Sequence, residues 1–346
     1  MLTTDQEGMK QIKHVSDSKG TISNLTFIIF AMVGVLVIVF TIASMIVPRF
    51  FDLATMSNLL VQQSELIIIG IGVTFIVITG RLDLSVGGVV AMAGVLSAYF
   101  AQANTRAEFS LSSGLGLPYW LAVVLTLICC MGIGAVNALF IVKFKIASII
   151  VTLGGMSLAR GIAMIIARGA QRNVGLPPEF GFFGRFSIIG TINLAVCFMI
   201  VLVLIALFVE KKTVFGRKLF LIGSNKTAAD LSGIKTDRQI AQLYIISSFL
   251  AGVTGILMAS KFCSGNSSIA GGYEFDALVI TVLGGTSIHG GFGSVICAVI
   301  GAFILGILST SVNMLGYPPA SQLLVRGFVI VIAILAQRYA LNKRNV

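Results

Sequence analysis

The chain has few charged residues and few of the side chains that build catalytic or metal centres. Asp, Glu, Lys and Arg make up 11% of its 346 residues, and it holds only two histidines. His14 and His289 are far apart in sequence and give no metal-ligand spacing. No G-x-x-x-x-G-K-[ST] motif occurs, so the chain has no phosphate-binding loop of that type. We therefore predict no catalytic residue, no metal site and no cofactor bound by this chain.

Its five cysteines do not form a disulfide pattern. Four of them lie within apolar runs, namely Cys129, Cys130, Cys197 and Cys297. Cys263 stands alone just beyond such a run. This distribution argues against a disulfide framework and against a cysteine-bound metal cluster.

Apolar residues dominate the sequence, at 57% of the chain, and the mean hydropathy is +1.01. Runs of about 20 apolar residues, the length that a helix needs to cross a bilayer, recur along the chain. They predict an all-α membrane protein with about ten transmembrane helices. The predicted spans are 25–47, 59–79, 87–103, 118–142, 146–167, 191–209, 241–260, 274–289, 295–314 and 321–338.

The net charge of +11 is explained by membrane topology. If both termini are cytoplasmic, most of the 24 Lys and Arg residues fall in cytoplasmic loops, as the positive-inside rule requires. This arrangement predicts a cytoplasmic tail at 1–24, an uncleaved first helix, a membrane domain over 25–338 and a second tail at 339–346. Nucleic-acid binding is a poor explanation of the charge.

Two segments of the chain resemble each other weakly. Residues 72–81 read GVTFIVITGR and residues 252–261 read GVTGILMASK, and each is followed by a Gly-Gly pair. On the predicted topology the two segments run in opposite directions, as in the inverted repeats of transporters with broken helices. Chance similarity between apolar helices is the other explanation.

A polar interruption, TGRLDLSVGG at 79–88, suggests a helix break. Non-helical backbone at membrane depth has to be buried in protein or line a cavity, and glycine permits the required turn. Asp83 and Ser85 could then cap a helix that begins near Val86. An ordinary cytoplasmic turn, with Arg81 reaching the lipid headgroups, is the alternative.

The longest polar stretch, 210–238, is predicted to be a cytoplasmic loop. Within it, Asn225 is suited to cap a short helix at 227–233, and Gly233 is suited to end it. Such a helix would present Ala228, Leu231 and Ile234 at the cytoplasmic surface. Docking into a partner protein and resting on lipid headgroups are both compatible with this pattern.

Five motifs together resemble the permease subunits of ribose-type ABC monosaccharide importers (carbohydrate uptake family 2). In chain order they are TGRLDLSVGG, TLGGMSLARG, GRKLFLIGSNKTAADLSGI, GYEFDALVITVLGGTSIHGGFGS and QLLVRGFVIVIAIL. The resemblance covers roughly residues 50–338. It implies a bacterial inner-membrane permease that imports a monosaccharide.

The resemblance also implies the partners and the residues that couple them. The permease would pair with a second copy or a homologous permease, receive sugar from an extracytoplasmic binding protein and be driven by a cytoplasmic ATPase that uses ATP. Membrane lipid would surround it. The residues predicted to couple transport to the ATPase are Ala228, Asp230, Leu231, Gly233 and Ile234.

The substrate path is predicted around the helix break and the charged residues of the spans. Arg160 is a cation within a predicted span, which is costly in lipid, so we expect it either to pair with Glu65 or Asp276 or to contact the ligand. Arg326 is expected to reach the membrane surface. The predicted helix-break and path residues are Arg81, Asp83, Ser85, Gly87, Arg160 and Asp276.

An ion-gradient-driven secondary transporter of a small polar solute is the alternative function. Such a transporter usually needs a buried acid within a span. Asp83, Glu65 and Asp276 all lie near the ends of predicted spans, which argues against it.

Overall fold

The computed structural model describes residues 18–103, 114–169, 171–189, 192–318, 320–329 and 331. This part of the chain is built almost entirely from helices. The helices are α1 (Ser18–Ile46), α2 (Leu53–Ile78), α3 (Val86–Ala101), α4 (Tyr119–Val142), α5 (Ser148–Ala167), α6 (Phe182–Arg185), α7 (Leu194–Lys212), α8 (Val214–Ser224), α9 (Lys226–Leu231), α10 (Thr236–Phe262), α11 (Tyr273–Leu283) and α12 (Val295–Met314), followed by a helical stretch at 320–329.

The only sheet in the described residues is a small hairpin between α6 and α7. Strand β1 (Ser187–Ile189) pairs antiparallel with β2 (Ile192–Asn193), and a 3₁₀ turn at Pro178–Gly181 precedes α6. This connection from α5 to α7 lies on the side of the molecule where α10 ends, because the Gly184 amide donates to Ser260 Oγ at 2.8 Å.

Seven of the described helices are long and apolar enough to cross a membrane, judged by length and composition. They are α1 (over Ile28–Ile46), α2, α4, α5, α7, α10 and α12. The predicted span at 87–103 corresponds to the 16-residue α3, and the one at 274–289 to the 11-residue α11, which already ends at Leu283. The all-helical membrane fold is therefore confirmed, whereas the count of ten spans stays a prediction.

Some predicted boundaries differ from the structure. Helix α1 begins at Ser18, within the predicted tail 1–24, and its apolar membrane-length window begins at Ile28; residues 1–17 and the tail at 339–346 lie outside the described residues. The stretch 210–238, predicted to be a cytoplasmic loop with one short helix, contains the end of α7, the whole of α8 and α9, and the start of α10. Its polar residues mark the caps and exposed faces of these helices.

Several helices begin where a polar side chain caps the first turn. The Asn193 side chain accepts a hydrogen bond from the Ala195 amide at 2.9 Å at the start of α7. Thr213 Oγ1 accepts from the Gly216 amide at 3.1 Å at the start of α8. Each cap pairs an amide that the first helical turn leaves unpaired, so these helix starts are fixed by the local sequence.

Helices α2 and α10 form the centre of the molecule. The most apolar window is 94% buried in α2 and 78% buried in α10, compared with 6% in α1. Gly255 of α10 lets the backbones of α10 and α3 approach closely, because a Cβ there would collide with the Val90 carbonyl oxygen. Small residues at helix contacts are typical of membrane proteins, where close backbone packing holds helices together.

A buried carboxylate joins the C-terminal end of α7 to the start of α12. Glu210 is 6% exposed, and its two oxygens accept hydrogen bonds from Ser294 Oγ at 2.7 Å and from the Val295 amide at 2.7 Å. The negative charge lies at the N-terminus of α12, where the helix dipole stabilises it. Glu210 thus acts as a cap that is supplied by a distant part of the chain.

Replacing Glu210 by Ala is expected to destabilise the protein by about 1–3 kcal/mol, because Ser294 Oγ and the Val295 amide would lose their acceptor while buried. The measurement is the thermal-denaturation midpoint of the purified protein in detergent. Glu210→Gln keeps one acceptor oxygen and should fall between Glu210→Ala and the wild type. Lys212→Ala, on an exposed side chain two residues away, is the control. Equal midpoints for Glu210→Ala and Lys212→Ala would contradict the proposed cap.

Candidate functional site

The first helix break, residues 79–85, lies between α2 and α3; Gly80 is exposed, whereas the second part of the break, from Asp83 to Ser85, is buried. Gly80 takes a left-handed conformation with φ +73°. Asp83 is 1% exposed. Its Oδ1 accepts hydrogen bonds from the Ser85 amide at 2.9 Å and from Ser85 Oγ at 2.6 Å. Its Oδ2 accepts a hydrogen bond from Ser247 Oγ at 2.7 Å. The structure favours a buried helix break over a solvated cytoplasmic turn. Arg81, at the start of the break, is half-buried.

The expected capping of α3 is only partly correct. Ser85 occupies the N-cap position, but its side chain makes no capping bond to α3. Its hydroxyl oxygen instead accepts from Asn137 Nδ2 at 3.0 Å and donates to Asp83. Tyr244 of α10 donates its hydroxyl to the Leu82 carbonyl at 3.0 Å. Side chains of α4 and α10 therefore hold the first break in place.

A second helix break, residues 263–272, lies between α10 and α11. It ends at Gly272, which has φ +90°, and α11 then starts with two buried acids, Glu274 and Asp276. Asp276 Oδ2 pairs with Arg326 Nη1 at 2.9 Å. The expectation that Arg326 reaches the membrane surface is therefore wrong, because Arg326 points inward to Asp276.

The two breaks meet inside the protein. Gly87, in the first turn of α3, faces Glu274, in the first turn of α11, and a Cβ at Gly87 would collide with Glu274 Oε2. Glu274 is 6% exposed, and no hydrogen-bond partner of its Oε2 is found among the described residues. The N-termini of α3 and α11 thus lie against each other, with a carboxylate where the dipole of α3 favours negative charge.

The predicted pairing of Arg160 is wrong. Glu65 pairs with Lys261 at 3.1 Å, and Asp276 pairs with Arg326. Arg160 lies half-buried on α5. Glu65 also lies in the middle of α2 rather than near its end, since α2 begins six residues earlier than predicted, at Leu53. The pairing error arises because the partners are distant in sequence, and the misplacement of Glu65 arises because the start of α2 was predicted too late.

The predicted coupling helix is present as α9, at Lys226–Leu231 rather than 227–233. Asn225 caps it by accepting from the Ala228 amide at 3.0 Å, and Gly233 ends the turn with φ +79°, as the sequence predicts. Leu231 is 86% exposed and Ala228 is also exposed.

The other two predicted coupling residues point back to the protein. Ile234 is half-buried and packs against the core. Asp230 Oδ1 accepts a hydrogen bond from Thr236 Oγ1 at 2.5 Å. The exposed apolar face of the helix is therefore smaller than expected, and Leu231 dominates it.

The sequence analysis missed a junction of four glycines, Gly80, Gly223, Gly290 and Gly291. The Gly291 amide donates to the Ile78 carbonyl at 2.8 Å, and a Cβ at Gly223 would collide with the same carbonyl oxygen. Gly290 lies against the Gly80 amide. This glycine junction joins the end of α2, the α11–α12 connection and α8, the helix just before α9. The Gly290-Gly291 pair was a visible signal, but its partners were not.

Within the described residues, no group of three His, Cys, Asp or Glu side chains is placed to hold a metal ion. All five cysteines are free thiols. Four of the buried acids, Glu65, Asp83, Glu210 and Asp276, are held by hydroxyls, amides or single basic residues.

The relatives found by comparison with known proteins are all named as permease components of transport systems. Residues 55–334 match the family described as the permease component of the branched-chain amino acid transport system. The ribose import permease protein RbsC of Bacillus subtilis is 35% identical over 309 residues, which cover 88% of this chain and 90% of that protein. RbsC of Haemophilus influenzae is 31% identical over 312 residues, covering 89% and 93%.

A relative named for a different sugar matches equally well along its length. The L-arabinose transport system permease protein AraH of Escherichia coli K12 is 32% identical over 314 residues, covering 90% of each chain. No solved structure matches the chain.

Replacing Gly223 by Ala is expected to lower the thermal-denaturation midpoint, because the added methyl group would push α8 away from the end of α2. Overpacking of this kind costs about 1–3 kcal/mol. Gly34→Ala, in α1 where nothing lies within 4 Å of the added Cβ, is the matched control and should leave the midpoint unchanged or raise it. A midpoint for Gly223→Ala as high as that of Gly34→Ala would show that the junction is loosely packed.

Proposed function

The chain belongs to this family of transport permease components, and we propose that it is the membrane subunit of an ATP-driven importer of a ribose-like monosaccharide or a related small polar solute. The observation that carries the proposal is its similarity, along about nine tenths of the chain, to permeases named for ribose and arabinose. Its apolar helices agree with a multi-pass protein of the cytoplasmic membrane.

The proposed topology has ten spans with both termini in the cytoplasm. The short apolar helix α3, the 11-residue α11 and the stretch at 320–329 would supply the three spans beyond the seven long helices. The resembling segments at 72–81 and 252–261 cover the ends of α2 and α10. Each is followed by a break and then by a shorter helix. The same order of elements occurs in both halves, and the N-termini of α3 and α11 are in contact. Both observations support an inverted repeat.

The proposed energy source is a separate cytoplasmic ATPase, with no nucleotide bound by this chain. The surface that would receive it is α9, because a leucine that is 86% exposed on a capped cytoplasmic helix suits a groove on a partner protein. An extracytoplasmic binding protein would deliver the sugar, and a second permease copy or a homologous permease would complete the membrane unit. The path would run past Arg81, Asp83, Ser85, Gly87, Arg160 and Asp276.

The first test is uptake of labelled D-ribose and L-arabinose into vesicles that hold the permease, its ATPase and its binding protein, with ATP inside. We expect uptake only when all three proteins and ATP are present. Omitting one protein at a time is the control. Uptake that persists without the ATPase and collapses when an ionophore removes the ion gradient would instead establish a secondary transporter.

Leu231→Asp is expected to abolish ATP-driven uptake while leaving the permease in the membrane, because the change places a charge on the apolar docking surface without affecting a buried contact. Leu231→Met keeps an exposed apolar side chain and should retain uptake. Co-purification of the ATPase with each variant is the direct readout. If Leu231→Asp binds the ATPase and transports as the wild type does, α9 rests on lipid headgroups or faces water.

A further inference from the structure

A small polar cleft lies between α2, α11, α12 and the helical stretch at 320–329. Its polar lining consists of Gln62 and Gln63 from α2, Tyr273 and Asp276 from α11, Ser309 from α12, and Arg326. The free space is about 20 Å³, which is close to the room needed for one water molecule. The cleft is therefore closed in this structure, although its lining is built from polar side chains.

Two polar atoms of this lining find no hydrogen-bond partner among the described residues. They are Gln63 Oε1, on a residue that is 4% exposed, and Arg326 Nε. A buried polar atom without a partner costs free energy, and such atoms are uncommon in native structures unless something else pairs with them. Gln63 Oε1 accepts hydrogen bonds and Arg326 Nε donates them. Together they match a ligand group that both donates and accepts hydrogen bonds.

The two charged residues that line the cleft, Asp276 and Arg326, form an ion pair at 2.9 Å. A lining without net charge favours a neutral ligand over an anion or a cation. Leu66 and Leu305 add apolar surface beside the polar groups. Hydroxyl groups on a small carbon skeleton fit this combination, because each hydroxyl both donates and accepts a hydrogen bond.

We infer that this cleft binds the hydroxyl groups of an uncharged monosaccharide as it crosses the membrane, with Gln63 Oε1 accepting and Arg326 Nε donating hydrogen bonds. The inference rests on the proposed function and adds a specific contact site to it. It concerns Gln63 and Arg326, neither of which the sequence pattern placed on the path.

The ion pair between Asp276 and Arg326 holds the cleft closed. It joins α11 to the stretch at 320–329, and a monosaccharide cannot enter while the free space is about 20 Å³. Gly306 of α12 lets Gln63 lie flat against α12, since a Cβ there would come within 2.5 Å of Gln63 Nε2. Separating 320–329 from α11 exposes Gln63, Asp276 and Arg326 together.

The first test variant is Gln63→Met, which keeps the length of the side chain and removes an acceptor that has no partner. It is expected to leave the thermal-denaturation midpoint at or above that of the wild type and to lower ATP-driven uptake of D-ribose about threefold to tenfold. Gln242→Met, on an exposed glutamine of α10, is the matched control. For ribose, and for analogues that each lack one hydroxyl, the uptake rate of each variant is divided by the wild-type rate for the same sugar. The binding protein is the same in every assay, so its own preference among the sugars cancels from this ratio.

The second test variant is Arg326→Lys, which retains the positive charge opposite Asp276 but lacks the Nε donor. Loss of ribose uptake in both variants, with a smaller loss for one deoxy analogue, supports the inference. Unchanged ribose uptake in Gln63→Met, or the same loss for every analogue, overturns it. If the wild type itself takes up no ribose or arabinose but transports L-leucine, the proposed function is wrong instead.

Discussion

Backbone amides that leave a helix inside a membrane have to find partners within the protein, and this constraint shapes the whole molecule. Two segments, 79–85 and 263–272, leave helical geometry next to the two most central helices, α2 and α10. Both breaks can exist only because other helices surround them. The peripheral α1, with a window that is 6% buried, shows the opposite arrangement, an unbroken helix that is exposed along most of its length.

The two breaks satisfy this constraint in different ways. The first uses a single carboxylate, since Asp83 accepts from two hydroxyls and one amide within 2.9 Å. The second uses a left-handed glycine, Gly272, and an ion pair between Asp276 and Arg326. Hydrogen bonds to a buried carboxylate keep the first break in one arrangement. An ion pair between two separate helices can be broken and remade, so the second break is better suited to move.

Local features of the fold could be predicted from the sequence, because they depend on neighbouring residues. Asn225 caps α9 and Gly233 ends it in a left-handed conformation, and both follow from residue type and spacing alone. The apolar runs likewise located the seven long helices. What the sequence could not predict is pairing at a distance. Asp83 meets Ser247 across 164 residues, and Glu65 meets Lys261 across 196.

The same limit explains the errors at the candidate site. Arg160 was the conspicuous intramembrane cation, yet Asp276 pairs with Arg326 and Glu65 with Lys261. Glu210, the first residue of the polar stretch 210–238, caps the distant helix α12, which its own sequence neighbours do not indicate. A charged residue in an apolar chain signals that it has a partner. Only the fold determines which partner that is.

The glycine junction suggests how a movement of α9 would reach the helix breaks. Helix α8 ends at Ser224 and α9 begins two residues later, so the two helices are tied closely together. Gly223 lies against the Ile78 carbonyl, and the Gly291 amide binds that same carbonyl at 2.8 Å. A displacement of α8 therefore acts at once on the end of α2, which enters the first break, and on the connection that follows α11. Because packed backbones at glycine contacts leave little slack, a movement of α8 reaches the first break through the end of α2, and it reaches α11, the helix after the second break, through the connection that follows it.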